Sequence, residues 1–127
     1  MRFLLVSALC LAIMPVAAQD MPPDFKKCLP CHAIGEGAIN KVGPQLNGVV
    51  GQPAGRVAGY AYSQAMLAAQ ADGLEWNRQT LTQYLKRPKH LIVGTSMTFA
   101  GMTDRAAIDA VIDYLASFDS EGERVTP

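Results

Sequence analysis

No excess of either charge is present. The chain has 11 Lys and Arg against 11 Asp and Glu. It therefore has no surplus of cations to neutralise a phosphate backbone, which argues against a nucleic-acid partner. Cysteine is scarce, with three residues in all. No segment alternates apolar and polar residues as a half-buried strand does, and no internal repeat is found. The uncharged run Phe3–Ala18 is marginal for a membrane span, and Pro15 lies inside it. At 127 residues and 13.6 kDa the chain is one domain. These features exclude a multidomain enzyme, a polytopic membrane protein and a disordered chain.

What is present at the start reads as a secretory leader. Arg2 precedes the apolar run, and Val16-Ala17-Ala18 supplies a small-residue cleavage site. Cleavage after Ala18 is expected, giving a signal peptide 1–18 and a mature domain 19–127. Export to the periplasm follows, with membrane tethering only if the leader is kept. Cys10 is an ordinary leader position, because Leu9 stands where a lipid-attachment site wants a small residue.

The mature chain then has two cysteines, Cys28 and Cys31. A disulfide between them would close a tiny loop and restrain little of the unfolded chain. The next residue decides the reading. Cys28-Leu29-Pro30-Cys31-His32 is the C-x-x-C-H pattern of c-type haem attachment. Two thiols at this spacing reach the two vinyl groups of one porphyrin edge, and the adjacent imidazole is held under the iron. A thioredoxin-like pair would need a βαβ setting, and a zinc site would need further ligands, where the only other histidine is His90. One haem c, covalent through Cys28 and Cys31, is the expected cofactor. A chain this short buries a modest core, so the apo form should fold poorly.

A second axial ligand is expected from a methionine, the usual partner of histidine in cytochromes c. Met66 lies in an apolar helical stretch where methionine is ordinarily core packing. Met97 and Met102 share a segment punctuated by glycine and threonine, and geometry alone does not decide between them.

Beyond the haem motif, several stretches recur in order: Gly43-Pro44-Gln45-Leu46-Asn47-Gly48, Gly59-Tyr60-Ala61-Tyr62-Ser63, Trp76, Leu81-Thr82-Gln83-Tyr84-Leu85, Pro88-Lys89 and Gly94-Thr95-Ser96-Met97-Thr98-Phe99-Ala100-Gly101. With these the chain resembles the small class I c-type cytochromes, the type shared by mitochondrial cytochrome c and bacterial cytochrome c2, from about Phe25 to Phe118. The resemblance implies an all-α fold, helices and loops wrapped around one haem c. It selects Met97 as the sixth ligand, making His32 and Met97 the metal ligands. It gives the Pro44 carbonyl the ring N–H of His32, gives Tyr62 and Trp76 a buried propionate, and places Tyr84, Thr95 and Phe99 in the haem pocket. The chain also departs from the family. Gln52 stands where an arginine is frequent, with Arg56 four residues on, and Met66 stands where many members have asparagine. Pro22-Pro23 shortens the first helix and should reduce its contact with the last.

The elements are read coarsely. A short helix is expected from about Pro23 through Cys31, then a glycine-rich loop to Ala58. Ser63 caps Gln64–Ala71, Asn77 caps Arg78–Arg87, and Pro88 stops that helix. Thr103 caps Asp104–Phe118, where Ile108, Val111, Ile112, Leu115 and Phe118 form one apolar stripe. The polar tail 119–127 is expected to fray.

With histidine and methionine on the iron no position is open to substrate, so a one-electron carrier and not an enzyme is expected. The implied partners are a bc1-type quinol–cytochrome c oxidoreductase and a cytochrome oxidase or photosynthetic reaction centre. The alternatives are a haem subunit of a periplasmic dehydrogenase and a haem enzyme or sensor with an open iron site. In the family fold Lys26, Lys27, Lys41, Lys86, Arg87 and Lys89 ring the exposed haem edge and would meet acidic partners, while acids crowd the far end from Asp104 to Glu123. Nothing points to an oligomer, and a monomer is expected.

Overall fold

The structure, a computed structural model, describes Ala12 and residues 20–126. The expected leader and its cleavage site lie outside the described residues apart from Ala12. An opening 3-10 helix, Pro23–Lys27, is followed by α1 (Gln64–Ala71), α2 (Arg78–Lys86), α3 (Pro88–Leu91) and α4 (Arg105–Ala116). No strand occurs among the described residues, only isolated bridges at Pro53–Glu75 and Phe118–Arg124. The all-α expectation is met.

Local chemistry explains the helix starts. Ser63 caps α1, its hydroxyl accepting from the Met66 N–H at 3.1 Å. Asn77 and Thr80 form a reciprocal capping box at the start of α2. Pro88 ends α2 at Lys86 but also opens α3, since a proline at the first helical position loses no hydrogen bond. The expected cap of the last helix is corrected. Asp104, not Thr103, holds the N-cap, its carboxylate accepting from Ala106 N–H at 3.0 Å. That helix ends at Ala116, two residues short of the expected end. The expected opening helix is also shorter, giving way after Lys27 to a turn that carries Cys28–Cys31.

The core gathers the buried faces of α2 and α4 around the opening helix. Ile108, Val111, Ile112, Leu115 and Phe118 are buried, as their helical spacing predicts. The first and last helices still meet, although the opening helix is short. Phe25 is fully buried and meets Tyr114 of α4 edge-on, with ring centroids 4.8 Å apart. One aromatic anchor suffices where a longer helix would use several residues.

The tail does not fray as expected. Asp119 N–H donates to the Glu123 carbonyl and Val125 N–H to the Ser117 carbonyl, folding residues 119–125 back along the end of α4. The Arg124 guanidinium lies over the rings of Phe118 and Tyr114, 4.4 and 4.9 Å from their centroids.

Candidate haem site

The elements surround a cavity of about 340 Å³ with a largely apolar wall. Cys28, Cys31 and His32 line it from the turn after the opening helix, and Pro44, Tyr62, Trp76, Tyr84, Thr95, Met97 and Phe99 line it from later segments. Every residue that the sequence assigns to the cofactor thus meets in one space.

The cysteines are half-buried and not bridged to each other. Burial pushes the Cys28 thiol up to about 11, with Lys27 opposing. Cys28 therefore remains a thiol at neutral pH in the chain as folded here. The i to i+4 hydrogen bond from His32 N–H to the Cys28 carbonyl, 2.9 Å, closes the turn that carries both cysteines and His32.

His32 is held on two sides. Its Nδ1 donates to the Pro44 carbonyl at 2.7 Å, which assigns the ring proton and leaves Nε2 as the free nitrogen. Its ring packs flat enough on Gly43 that a Cβ there would overlap it. Glycine is needed here for close approach, a requirement that an ordinary turn reading of Gly43-Pro44 misses. Burial lowers the His32 pKa, the Pro44 contact working against it, so the neutral ring is favoured.

On the other segment the Gly94–Gly101 loop brings Met97 to the cavity. Thr95 Oγ1 accepts from Met97 N–H at 3.3 Å and lies 2.6 Å from the Tyr84 hydroxyl. Met102 is separated from Met97 here. It is 5% exposed in the core, its N–H bonded to the Leu85 carbonyl, and does not line the cavity. Met66 packs against the core, as its helical setting implies, and also lines the cavity.

Trp76 packs on Tyr84 with centroids 4.9 Å apart. Its indole N–H has no partner among the described residues, yet no buried side-chain polar atom among them lacks one. The N–H is therefore not sealed from solvent, and Trp76 lines the cavity. The Tyr62 hydroxyl accepts from Val57 N–H at 2.9 Å, keeping its own proton to donate. Gln52 and Arg56 both line the same wall. The Arg56 guanidinium is 3.5 Å from the Asn47 carbonyl.

This donor set fits haem c: paired unbridged thiols, an imidazole with one committed and one free nitrogen, a thioether on a separate loop, and donors at the rim. No family model matches the sequence. Individual proteins do. Cytochrome c2 of Blastochloris viridis is 40% identical over 119 residues, 91% of each chain. Cytochrome c2 of Agrobacterium tumefaciens (strain II Chrys) is 50% identical over 91 residues, 72% of this chain and 82% of its own. Among solved structures, cytochrome c2 from Rhodospirillum centenum superposes with a TM-score of 0.71 at 34% identity, covering 75% of this chain and 92% of that one. This chain belongs to the class I c-type cytochromes. As a member it is a haem protein of electron transport, in a family that carries its haem c covalently.

The six cations expected at the rim of the cytochrome are all exposed, but they are not equivalent. Lys27 reaches the cavity mouth and is paired with Asp24 at 2.8 Å. The Lys41 ammonium donates to the Leu29 carbonyl at 2.9 Å, across the haem-binding turn. Lys26, Lys86, Arg87 and Lys89 do not line the cavity. The sequence reading passed over Asn47, a buried side chain that closes the loop behind His32. An asparagine beside Gly48, a left-handed turn position, was its only local signal.

Proposed function

We propose that this cytochrome is a periplasmic one-electron carrier whose haem c would be bound through Cys28 and Cys31 and held by His32 and Met97. The carrying observation is the convergence of Cys28, Cys31, His32 and Met97 on a single apolar cavity. Haem iron, when bound, supplies a couple that gains or loses one electron, and a thioether ligand in an apolar pocket raises its potential. The chain's own residues do the rest. Pro44 holds the Nδ1 proton of His32, so Nε2 is fixed as the donor. Thr95 and Tyr84 brace the Met97 backbone, so that neither ligand needs to leave when the charge changes. Trp76 and Tyr62 would each donate a proton toward a buried propionate of the haem. With both sides taken, no position serves a substrate, and the chain is not an enzyme.

The mature protein is residues 19–127 after removal of 1–18, acting as a monomer. Its donors and acceptors are a bc1-type complex and a cytochrome oxidase or reaction centre, met through the exposed lysines of the rim. A dehydrogenase subunit would instead copurify with its enzyme. Mass spectrometry of protein purified from the periplasmic fraction tests the reading. The expected mass is Gln19–Pro127 plus one haem, with the haem on the peptide containing Cys28 and Cys31. A mass without haem contradicts it.

A further inference from the structure

The loop behind His32 is closed at its neck by three rungs. Gly43 N–H donates to the Cys31 carbonyl at 2.7 Å, Leu46 N–H to the Ala33 carbonyl at 3.0 Å, and the Asn47 side chain pairs with both peptide groups of Gly35 at 2.8 and 2.9 Å. Between the first two rungs lies Pro44, whose carbonyl orients the His32 ring. The third rung is half-buried, with Asn47 itself 5% exposed.

The tail covers this rung. Gly122 is buried at φ +82, and a Cβ there would overlap the Gly35 carbonyl and crowd Asn47 Nδ2. Gly48, at φ +64, is pressed in the same way on the backbone of Ser120. The tail is itself folded onto α4: the Asp119 carboxylate accepts from the N–H groups of Glu121 and Glu123, both at 2.9 Å, and Arg124 donates to Ser117 Oγ at 2.7 Å. Two close glycine contacts, Gly122 on the Gly35–Asn47 pair and Gly48 on the Ser120 backbone, join the tail to this loop more tightly than chain-end packing requires.

We propose that residues 119–126 form a positioning strap for the histidine side of the haem site. The strap keeps water from the Gly35–Asn47 rung, and the closed loop keeps the Pro44 carbonyl on His32. The proposal rests on the haem reading given above. It assigns Gly122 and Asn47 as positioning residues that act through Pro44.

The test uses the holoprotein. Exchange of the His32 Nδ1 proton is followed by NMR in the reduced state, and the shifted His32 ring resonances are followed in the oxidised state. Two variants release the strap, Gly122→Ala and a chain ending at Phe118. Gly73→Ala is the control, because Gly73 has a similar φ of +85 and a Cβ there meets nothing within 4 Å. The strap variants should exchange about tenfold faster, as local opening becomes easier, and should move the His32 resonances. Gly73→Ala should lose stability with both signals held. Strap variants that match the wild type, or that change no more than Gly73→Ala, overturn the proposal. The wild type's own haem spectrum reports separately on the haem reading.

Discussion

Single residues divide the methionines of the cytochrome by what each sulfur meets. Met97 and Met66 line the cavity, whereas Met102 is core. Met102→Ala should therefore cost about 2–5 kcal/mol in urea unfolding of the holoprotein, the range for truncating a buried side chain, with the haem spectrum unchanged. Met97→Ala should give the opposite pattern, an altered spectrum from an open coordination position. A spectral change in Met102→Ala but not in Met97→Ala would exchange their roles. The tyrosines set the response to alkali. Burial raises the pKa of Tyr84 above 10.0, with the Thr95 hydrogen bond opposing, and burial likewise raises Tyr62. For each group the folded value lies above the unfolded one. Their stabilising contribution is complete below the ordinary value and is lost as pH rises through the folded one. Urea midpoints taken on either side of pH 10 should fall, and less steeply in Tyr84→Phe. Equal slopes would show that Tyr84 does not contribute. The paired thiols and the imidazole of His32 were readable from their spacing, whereas Met97 and the pocket residues Pro44, Tyr62, Trp76, Tyr84, Thr95 and Phe99 came only from the family resemblance, since Met97 and Met102 share one glycine-punctuated segment. The roles of Gly43 and Asn47 were not readable, because their value lies in contacts with His32 and Gly35 that no local pattern encodes.

At the scale of elements, caps and periodicity located the helices well. Ser63 and Asn77 stand at the expected starts, and the apolar stripe of α4 is buried as its spacing implies. Asn77→Ala removes half of a reciprocal capping box and should cost about 1 kcal/mol, measurable as a lower urea midpoint with an unaltered haem spectrum. No change would mean that α2 is held by packing alone. The boundary errors have local causes. Thr103 and Asp104 are both good caps, and only the placement of Met102 by its bond to Leu85 selects the second. Pro88 signals a stop and a start equally, so α3 was hidden behind the end of α2. The tail looked free because it is polar. It docks through Gly122 and Arg124, which find their partners only once the chain is folded.

For the whole molecule the charge pattern is less polar than the sequence alone implies. Five of the six expected rim cations are exposed away from the cavity wall, and the sixth, Lys27, is paired with Asp24. At the acidic end Arg78 bridges Asp109 and Asp113, and Arg105 also reaches Asp109, at 3.3 Å. Such surface pairs add little stability, yet they trim the field that steers a partner. Reduction by an acidic redox protein should still slow as ionic strength rises, because the basic rim retains more free cations than its surroundings. A rate independent of salt would remove the steering role. The central claim is that haem c is enclosed by His32 on one side and Met97 on the other. Absorption spectra of the reduced holoprotein, taken at neutral pH with and without carbon monoxide, test it most directly. A low-spin haem spectrum that the gas leaves unchanged is expected. Ready binding of carbon monoxide would contradict it.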